Sequence, residues 1–491
     1  MLLFFQGTSG VIYVVETRRT PETTDREKLV WLFGNAQWLD VETIDRPFIG
    51  PRREMITPWS TNAVEITQNT GIEGIIRIEE FFPTDTDKPS FDPMLQARYP
   101  LLDQQTFHIE HQPEPIRSIT DIAAYNQQEG LALSPDEVAY LEEVAIRIGR
   151  PLTDSEVFGF SQVNSEHCRH KIFNGTFIID GKEMPDTLFS LIKRTSKVNS
   201  NGIISAYKDN VAFVVGPRIN QFAPLTQDKA DFFSLTPFDS VLSLKAETHN
   251  FPTTVEPFNG ASTGSGGEIR DRMAGGKGSM PLAGTAVYMT SYPRTEAGRP
   301  WEEAVKPRKW LYQSPEDILI KASNGASDFG NKFGQPLICG SLLTFEHAGE
   351  SSNYGFDKVI MLAGGIGYGK QSDSLKDDPE SGDIVVVLGG DNYRIGMGGG
   401  AVSSVATGEF GHAIELNAVQ RANPEMQKRV YNAIRAMAEL GKNPIVSVHD
   451  HGAGGHLNSL SELVEVTGGE IEINKLPVGD PTLSAREIIW E

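Results

Sequence analysis

Two cysteines in 491 residues, Cys168 and Cys339, are too few for a disulfide framework and suit a reducing, cytoplasmic setting. Basic charge is also scarce. Lys plus Arg number 44 against 65 Asp plus Glu, a formal net charge of -21. That excludes a broad nucleic-acid or membrane-surface footprint, although one pocket can still be positive enough for a small phosphorylated ligand. No apolar run approaches the ~18 residues that span a bilayer. The opening "MLLFF" is too short for a signal-peptide core and lacks a basic leader. Standard nucleotide signatures are missing too. Gly276-Lys277 is followed by Gly278, so no Walker loop G-x-x-x-x-G-K-S/T exists, and Ile269 stands where the third glycine of G-x-G-x-x-G belongs.

What is present supports packed cores: 39% hydrophobic and 22% charged residues, and a length suited to about three domains. The runs "VIYVVE", "AVEIT" and "GIIRIEEFF" read as strands around a helical "TTDREKLVWLFGN", which predicts a small N-terminal α+β domain over 1–110. Residues from about 83 to 130 read as linker with little regular structure. A helix follows in "SPDEVAYLEEVAIRIGRP". Ser134 and Glu137 form a capping box, Pro135 suits the first position, and Gly149 ends it. Thr153 and Glu156 open a second helix, and the stretch 111–157 is the expected linker domain. From about 175 strands alternate with Gly-rich loops: "TFIIDG", "VAFVVG", "SVLSLKAETHN", "LAGTAVYMT", "KVIMLAGGIGYG" and "DIVVVLGG". "NPEMQKRVYNAIRAMAELGKN" is a helix from Asn423 or Pro424 to Gly441. The fold class expected is α/β and α+β multidomain. The chain ends in mid-pattern at "SAREIIWE", which suits a piece of something longer.

Four stretches carry chemistry. In "LSLKAETHN", strand alternation puts Leu242, Leu244 and Ala246 toward the core and Ser243, Lys245 and Glu247 on the other face, with His249 following. That is a site wall or a solvated strand face. "GASTGSGGEIRDRMAGGKGSMPLAG", residues 260–284, reads as a Gly-rich loop able to turn backbone N–H groups toward phosphate. Arg270, Arg272 and Lys277 supply positive charge, and Glu268 and Asp271 supply oxygens for Mg²⁺. A flexible surface loop is the bland alternative. "SEHCRHK", 165–171, is a poor zinc site, because only His170 with His167 or Glu166 shares a helical face and Cys168 has no CxxC partner. His167 or His170 can move protons or stabilise charge; a polar helix end fits the spacing equally. "VSVHDHGAGGHLNSLSELVE" runs a strand into His449, Asp450 and His451, then a turn to a helix holding His456. Metal, Mg²⁺ or anion binding through Asp450, and a plain turn all remain open.

Taken in order, "FSQVNSEHCRHKIFNG", "LKAETHNFPT", "GASTGSGGEIRDR", "VIMLAGGIG" and "HDHGAGGHLNSLSELVE" resemble the large, single-chain phosphoribosylformylglycinamidine synthases (formylglycinamide ribonucleotide amidotransferases). "GPRREMITPWSTNAVEITQNTGIEGIIRIE" is similar to their first domain. The resemblance covers essentially the whole chain. It implies a first aminoimidazole-synthetase-like half, with subdomains at 158–372 and 373–491, the latter truncated. It implies conversion of formylglycinamide ribonucleotide to the formylglycinamidine with ATP and glutamine-derived ammonia, through an iminophosphate, in purine biosynthesis. It makes His249 and His167 catalytic and sets Lys245 and His170 at the nucleotide. The stretch Gly260, Ala261, Ser262, Thr263, Gly264, Ser265, Gly266, Gly267, Glu268, Ile269, Arg270 and Asp271 would line the same ligand. Thr248, Asn250 and Arg270 would touch the substrate, and Glu247, Asp271 and Asp450 would bind Mg²⁺. The partners implied are a second synthetase half and a glutaminase domain of the same chain, without which this stretch is expected to be inactive. Another ATP-dependent synthetase of the superfamily, or a non-catalytic nucleotide-stabilised scaffold that docks a glutaminase, are the alternatives.

Overall fold

The computed structural model describes residues 1–86, 88–306, 309, 312–409 and 412–490; Glu491, which closes "SAREIIWE", lies outside them. The chain divides into two compact units: residues 1–115 with 390–394 and 476–484, and residues 116–389 with 395–475 and 485–491. Among the described residues no helix is long and apolar enough to cross a membrane.

The first unit is built on six strands: β1 (Leu2–Gln6), β2 (Ile12–Thr17), β3 (Gln37–Leu39), β4 (Phe48–Pro51), β5 (Ile75–Pro83) and β6 (Gln96–Tyr99). They lie in the order β3-β1-β2-β5-β4-β6 with antiparallel pairing throughout. Alternation sends Phe4 and Val14 into one apolar cluster with Phe48 and Phe81, and Phe5 and Val15 into another with Leu29 and Ile78. Both faces of β1 and β2 are therefore covered, which is why their sequences are apolar at nearly every position. Two helices belong here, α1 (Thr23–Leu32) and α2 (Pro58–Asn69). The run "AVEIT", expected as a strand, lies inside α2. Thr57 accepts the Ser60 N–H at 3.0 Å and Pro58 follows in the first turn, so local capping and the Ala63, Val64 and Thr67 face outweigh β-propensity.

The second unit contains α3 (Pro135–Ile148) and α4 (Asp154–Val163), each started by the expected capping box. A helix at Ile122–Glu129, capped by Asp121 and closed by Gly130 in the left-handed region, interrupts what read as featureless linker. The main sheet consists of β7 (Ile203–Ser205), β8 (Ala212–Pro224), β9 (Phe233–Thr248), β10 (Met280–Thr290), β11 (Leu337–Thr344) and β12 (Ile360–Lys370). Its order is β7-β8-β9-β12-β10-β11, antiparallel except for the β10–β11 pair. Helices α5 (Pro257–Met273) and α6 (Pro315–Phe333) cover one face. Ala261, Ala322, Ala326 and Ala363 form one apolar cluster between the layers, and Ile269, Met273 and Phe329 form the next. Two later helices, α7 (Pro424–Ala438) and α8 (Gly455–Leu463), also belong to the unit; Asn423 caps α7 as expected.

Two expected strands are absent. "DIVVVLGG" forms no ladder, and Ile384 to Leu388 are 41–86% exposed. "VSVHD" is irregular as well. A strand needs a continuous neighbour for its N–H and C=O groups, and "VSVHD" shows a single such bond, from the Asp377 N–H to the Val446 carbonyl at 3.0 Å.

Candidate functional site

The largest correction concerns residues 260–271. They are not a loop but the buried body of α5. The glycines there serve close packing. A Cβ on Gly260 would lie 2.3 Å from the Pro252 carbonyl carbon, and one on Gly266 would lie 2.7 Å from the Phe329 ring. Their N–H groups are therefore spent within the helix and do not cradle an anion. Ala261, Ser262, Thr263, Gly264, Ser265, Gly267 and Ile269 are buried with them. Glu268 is committed to Arg272 at 2.8 Å and to Gln335 at 2.6 Å. Arg272, expected to meet phosphate, is fully buried and also donates to the Ile366 carbonyl at 2.7 Å. Lys277 pairs with Asp377.

The alternation expected in β9 holds, but the faces are exchanged. Ser243 is buried and Lys245 and Glu247 turn toward the helix layer, whereas Leu244 and Ala246 lie on the open face of the sheet. Thr248 is exposed, on the side opposite Glu247. The reason is charge pairing. Lys245 Nζ lies 2.7 Å from Asp271 and 2.9 Å from Glu247, so the polar row is neutralised between sheet and α5. Burial acts to lower the Lys245 pKa, but the two carboxylates outweigh it and raise the ammonium well above its ordinary value.

Next to this pair, Arg270 Nε donates to Asp450 at 3.0 Å, and Asn210 Nδ2 donates to the other Asp450 oxygen at 2.8 Å. Burial pushes Asp271 up, and Asp450 adds to the rise. Burial also acts upward on Asp450, but Arg270 overrides it and holds that carboxyl low. Asn210 is the member that sequence reading missed. Nothing in "KDNVAF" marks it, and only the fold brings it to a partner 240 positions away.

His249 sits where β9 gives way to the short helix Asn250–Val255. Its Nδ1 lies 2.6 Å from the Gly260 carbonyl, which can only accept, so Nδ1 carries the proton and Nε2 keeps its lone pair. Burial lowers this imidazole to about 4. Asn250 Oδ1 accepts the Met361 N–H at 3.0 Å. His167 lies on the short helix Glu166–Arg169, just after α4. It is solvent-accessible, yet the walls around it withdraw enough water to lower its pKa, while Glu247 acts the other way. His170, at φ 49°, stacks on Phe189 with ring centroids 6.0 Å apart. His451 and His456 bond each other at 2.9 Å, and His449 faces Glu462.

The expected residues Lys245, Glu247, His249, Arg270, Asp271 and Asp450 are therefore brought together, with His167 electrostatically coupled to Glu247. Thr248 is set apart by the pleat, and most of 260–269 by burial. Among the described residues no group of three or more His, Cys, Asp or Glu converges to hold a metal. Glu247, Asp271 and Asp450 are nevertheless all oxygen donors, matched in type to a hard divalent cation and not to zinc.

Residues 10–104 match the family model "Formylglycinamide ribonucleotide amidotransferase N-terminal", residues 122–171 the linker domain of the same amidotransferase, and residues 380–490 "AIR synthase related protein, C-terminal domain". The Arabidopsis thaliana protein named "Probable phosphoribosylformylglycinamidine synthase, chloroplastic/mitochondrial" is 37% identical over 473 residues. The chain belongs to the phosphoribosylformylglycinamidine synthase family. That alignment takes in 90% of this chain but 33% of the Arabidopsis protein, so the chain spans about a third of that relative's length. Among solved structures, T. maritima PurL complexed with FGAR matches over 72% of this chain and 46% of its own, at 23% identity and TM-score 0.47. T. maritima PurL complexed with ATP matches over 72% and 44%, at 21% identity and TM-score 0.45.

Proposed function

We propose that the second unit is an ATP-dependent synthetase half of an enzyme that converts formylglycinamide ribonucleotide to formylglycinamidine ribonucleotide with glutamine-derived ammonia, in purine biosynthesis. The observation that carries this reading is the Lys245–Asp271–Glu247 cluster beside Arg270–Asp450, with a neutral histidine at the end of the same strand. The family membership says which reaction such a cluster would serve.

In this proposal ATP transfers its terminal phosphoryl group to the substrate amide oxygen. Ammonia then attacks the imidate carbon, and phosphate leaves. Lys245 and Arg270 are the cations available to phosphate oxygens. Mg²⁺, whose chemistry is neutralisation of phosphate charge, would find donors of the right type in Glu247 and Asp271, the two carboxylates that share Lys245, whereas Asp450 is taken up by Arg270. Burial lowers His249, so in this proposal the ring enters the reaction neutral, with Nε2 free to accept. It therefore serves as an acceptor, taking a proton from the attacking ammonia at Nε2 while Gly260 fixes the ring. His167 stands beside Glu247, His170 and Asn250 keep the nucleotide and substrate roles suggested by the family, and Thr248, on the opposite side of the strand, is given none. The domain division 1–110, 111–157, 158–372 and 373–491 belongs to the proposal, as does cytoplasmic residence. A glutaminase and a second synthetase half would supply what this chain alone does not.

The test is calorimetric titration of the chain with ATP, with and without Mg²⁺. Mg²⁺-dependent binding that disappears in Asp271→Ala is expected; a folded chain that binds no ATP would overturn the reading. In the full enzyme carrying this chain, His249→Ala should lose substrate-dependent ADP formation with ammonia as donor.

A further inference from the structure

We propose that Glu137, at the start of α3, is a positioning residue: its carboxylate clamps both ends of residues 164–171 and so sets His167 beside the Lys245–Glu247 cluster. This rests on the reading above, in which His167 belongs to the site.

Besides the clamp, the segment is tied by buried Ser165 at its start and by the His167 N–H on Ser404 Oγ at 3.4 Å, both polar contacts. His167, Cys168, Arg169 and His170 are all exposed, so no apolar side chain in that stretch is anchored in a core. His170 adopts a left-handed backbone at φ 49°, a conformation that persists in a non-glycine residue only when its surroundings enforce it. Behind the segment lies a partly enclosed cavity of about 140 Å³, lined by Leu133, Glu137, Asn164, Glu166, Lys171 and Ser404. The segment therefore rests on polar ties across a hollow.

Glu137 provides the ties at both ends. Its Oε1 accepts from Asn164 Nδ2 at 2.7 Å and from Lys171 Nζ. Its Oε2 accepts the Ser134 N–H at 2.9 Å, completing the capping box. Capping uses one oxygen and clamping the other, so the carboxylate is fixed to a helix that is itself anchored by buried Leu141. Burial acts to raise the Glu137 pKa, but Lys171 and the Ser134 amide together hold it below the ordinary carboxylate value, so the clamp stays charged near neutral pH. Within the segment, Glu166 accepts the Ile172 N–H at 3.1 and 3.2 Å, which passes the restraint at Lys171 back toward His167. From sequence alone Glu137 is fully explained as a cap, so this second role had no visible signature.

Hydrogen exchange over residues 164–174 of this chain tests the clamp. Glu137→Gln and Lys171→Met should each raise exchange about tenfold, the order expected when a charge-assisted hydrogen bond is lost. Ser134→Ala weakens the helix start but leaves the Oε1 contacts, and should not change that segment. In the full enzyme, both clamp variants should lower kcat by about tenfold, whereas Lys171→Arg, which keeps a cation for Glu137, should turn over like the unaltered enzyme. Unchanged exchange in both variants overturns the clamp. Wild-type turnover in both, with His167→Ala inactive, overturns its positioning role. If His167→Ala itself is fully active, the placement of His167 in the site has failed, and the role proposed for Glu137 falls with it.

Discussion

Two alanine substitutions ten ångströms of helix apart should have opposite signs if α5 is a packed helix. On an ideal helix, residues 260 and 267 are separated by seven rises of ~1.5 Å. At Gly260 a new Cβ meets only backbone: the Pro252 carbonyl carbon at 2.3 Å, Thr253 N at 2.4 Å and Pro252 O at 2.5 Å. No side chain can swing away, so relief requires shifting the Asn250–Val255 turn. Overpacking of this kind costs about 1–3 kcal/mol, and rigid backbone puts Gly260→Ala at the upper end. At Gly267 the nearest atom is Arg270 Nη2 at 3.7 Å, an ordinary contact. Gly267→Ala should therefore show only the helix-propensity gain of about 0.5–1 kcal/mol. The variants should differ by about 3.5–4 kcal/mol, a few hundredfold in the opening equilibrium. Hydrogen exchange of the peptide spanning 257–273 reads that difference directly in the intact chain, without assuming that two units unfold as one. A loop whose glycines were needed for backbone turns would respond differently. A neutral Gly260→Ala, or a Gly267→Ala that raises exchange, would refute the packing argument.

Stability should also fall with acid in a defined window. Burial lowers His249 and His451 to about 4, whereas the unfolded chain titrates near ~6.5. Between those values the unfolded state takes up protons that the folded state refuses. The contribution is complete above about pH 6.5 and is lost progressively toward pH 4, by up to about 3 kcal/mol per histidine. Because burial pushes Asp271 the other way and gives an opposing slope, the check is the difference between the unaltered chain and His451→Gln: a urea midpoint with the same pH dependence from 7.5 to 5 in both would contradict this. Separately, Arg272→Met should destabilise the second unit by about 3–5 kcal/mol, because Glu268 would be left charged in a dry interior. Adding Glu268→Gln should recover much of the loss; a urea midpoint unmoved by the single change would refute the pairing.

Helix ends were the part of this protein most legible in its sequence. Ser134 with Glu137, Thr153 with Glu156, and Asn423 before Pro424 are local chemistry, complete within four residues, and the structure places caps at each. The alternation of Lys245 and Glu247 with Leu244 and Ala246 was legible for the same reason, since the pleat has period two whatever surrounds it. The ordered motifs also pointed to the family, because several long patterns in sequence are far more specific than any one of them.

Tertiary structure decided which face of that strand is interior, and it chose the charged one, because Asp271 on α5 waits there for Lys245. It turned a glycine-rich run into a buried helix, since glycine allows a tight turn and a tight packing contact equally, and only the neighbours at Pro252 and Phe329 choose between them. It left "DIVVVLGG" without a ladder, and it joined Asn210 to Asp450 across 240 positions. Composition and local pattern fix what a residue can do with its near neighbours. Which distant group neutralises a buried charge, and so whether a lysine is a surface ornament or the centre of a site, is settled only when the strands and helices are brought together.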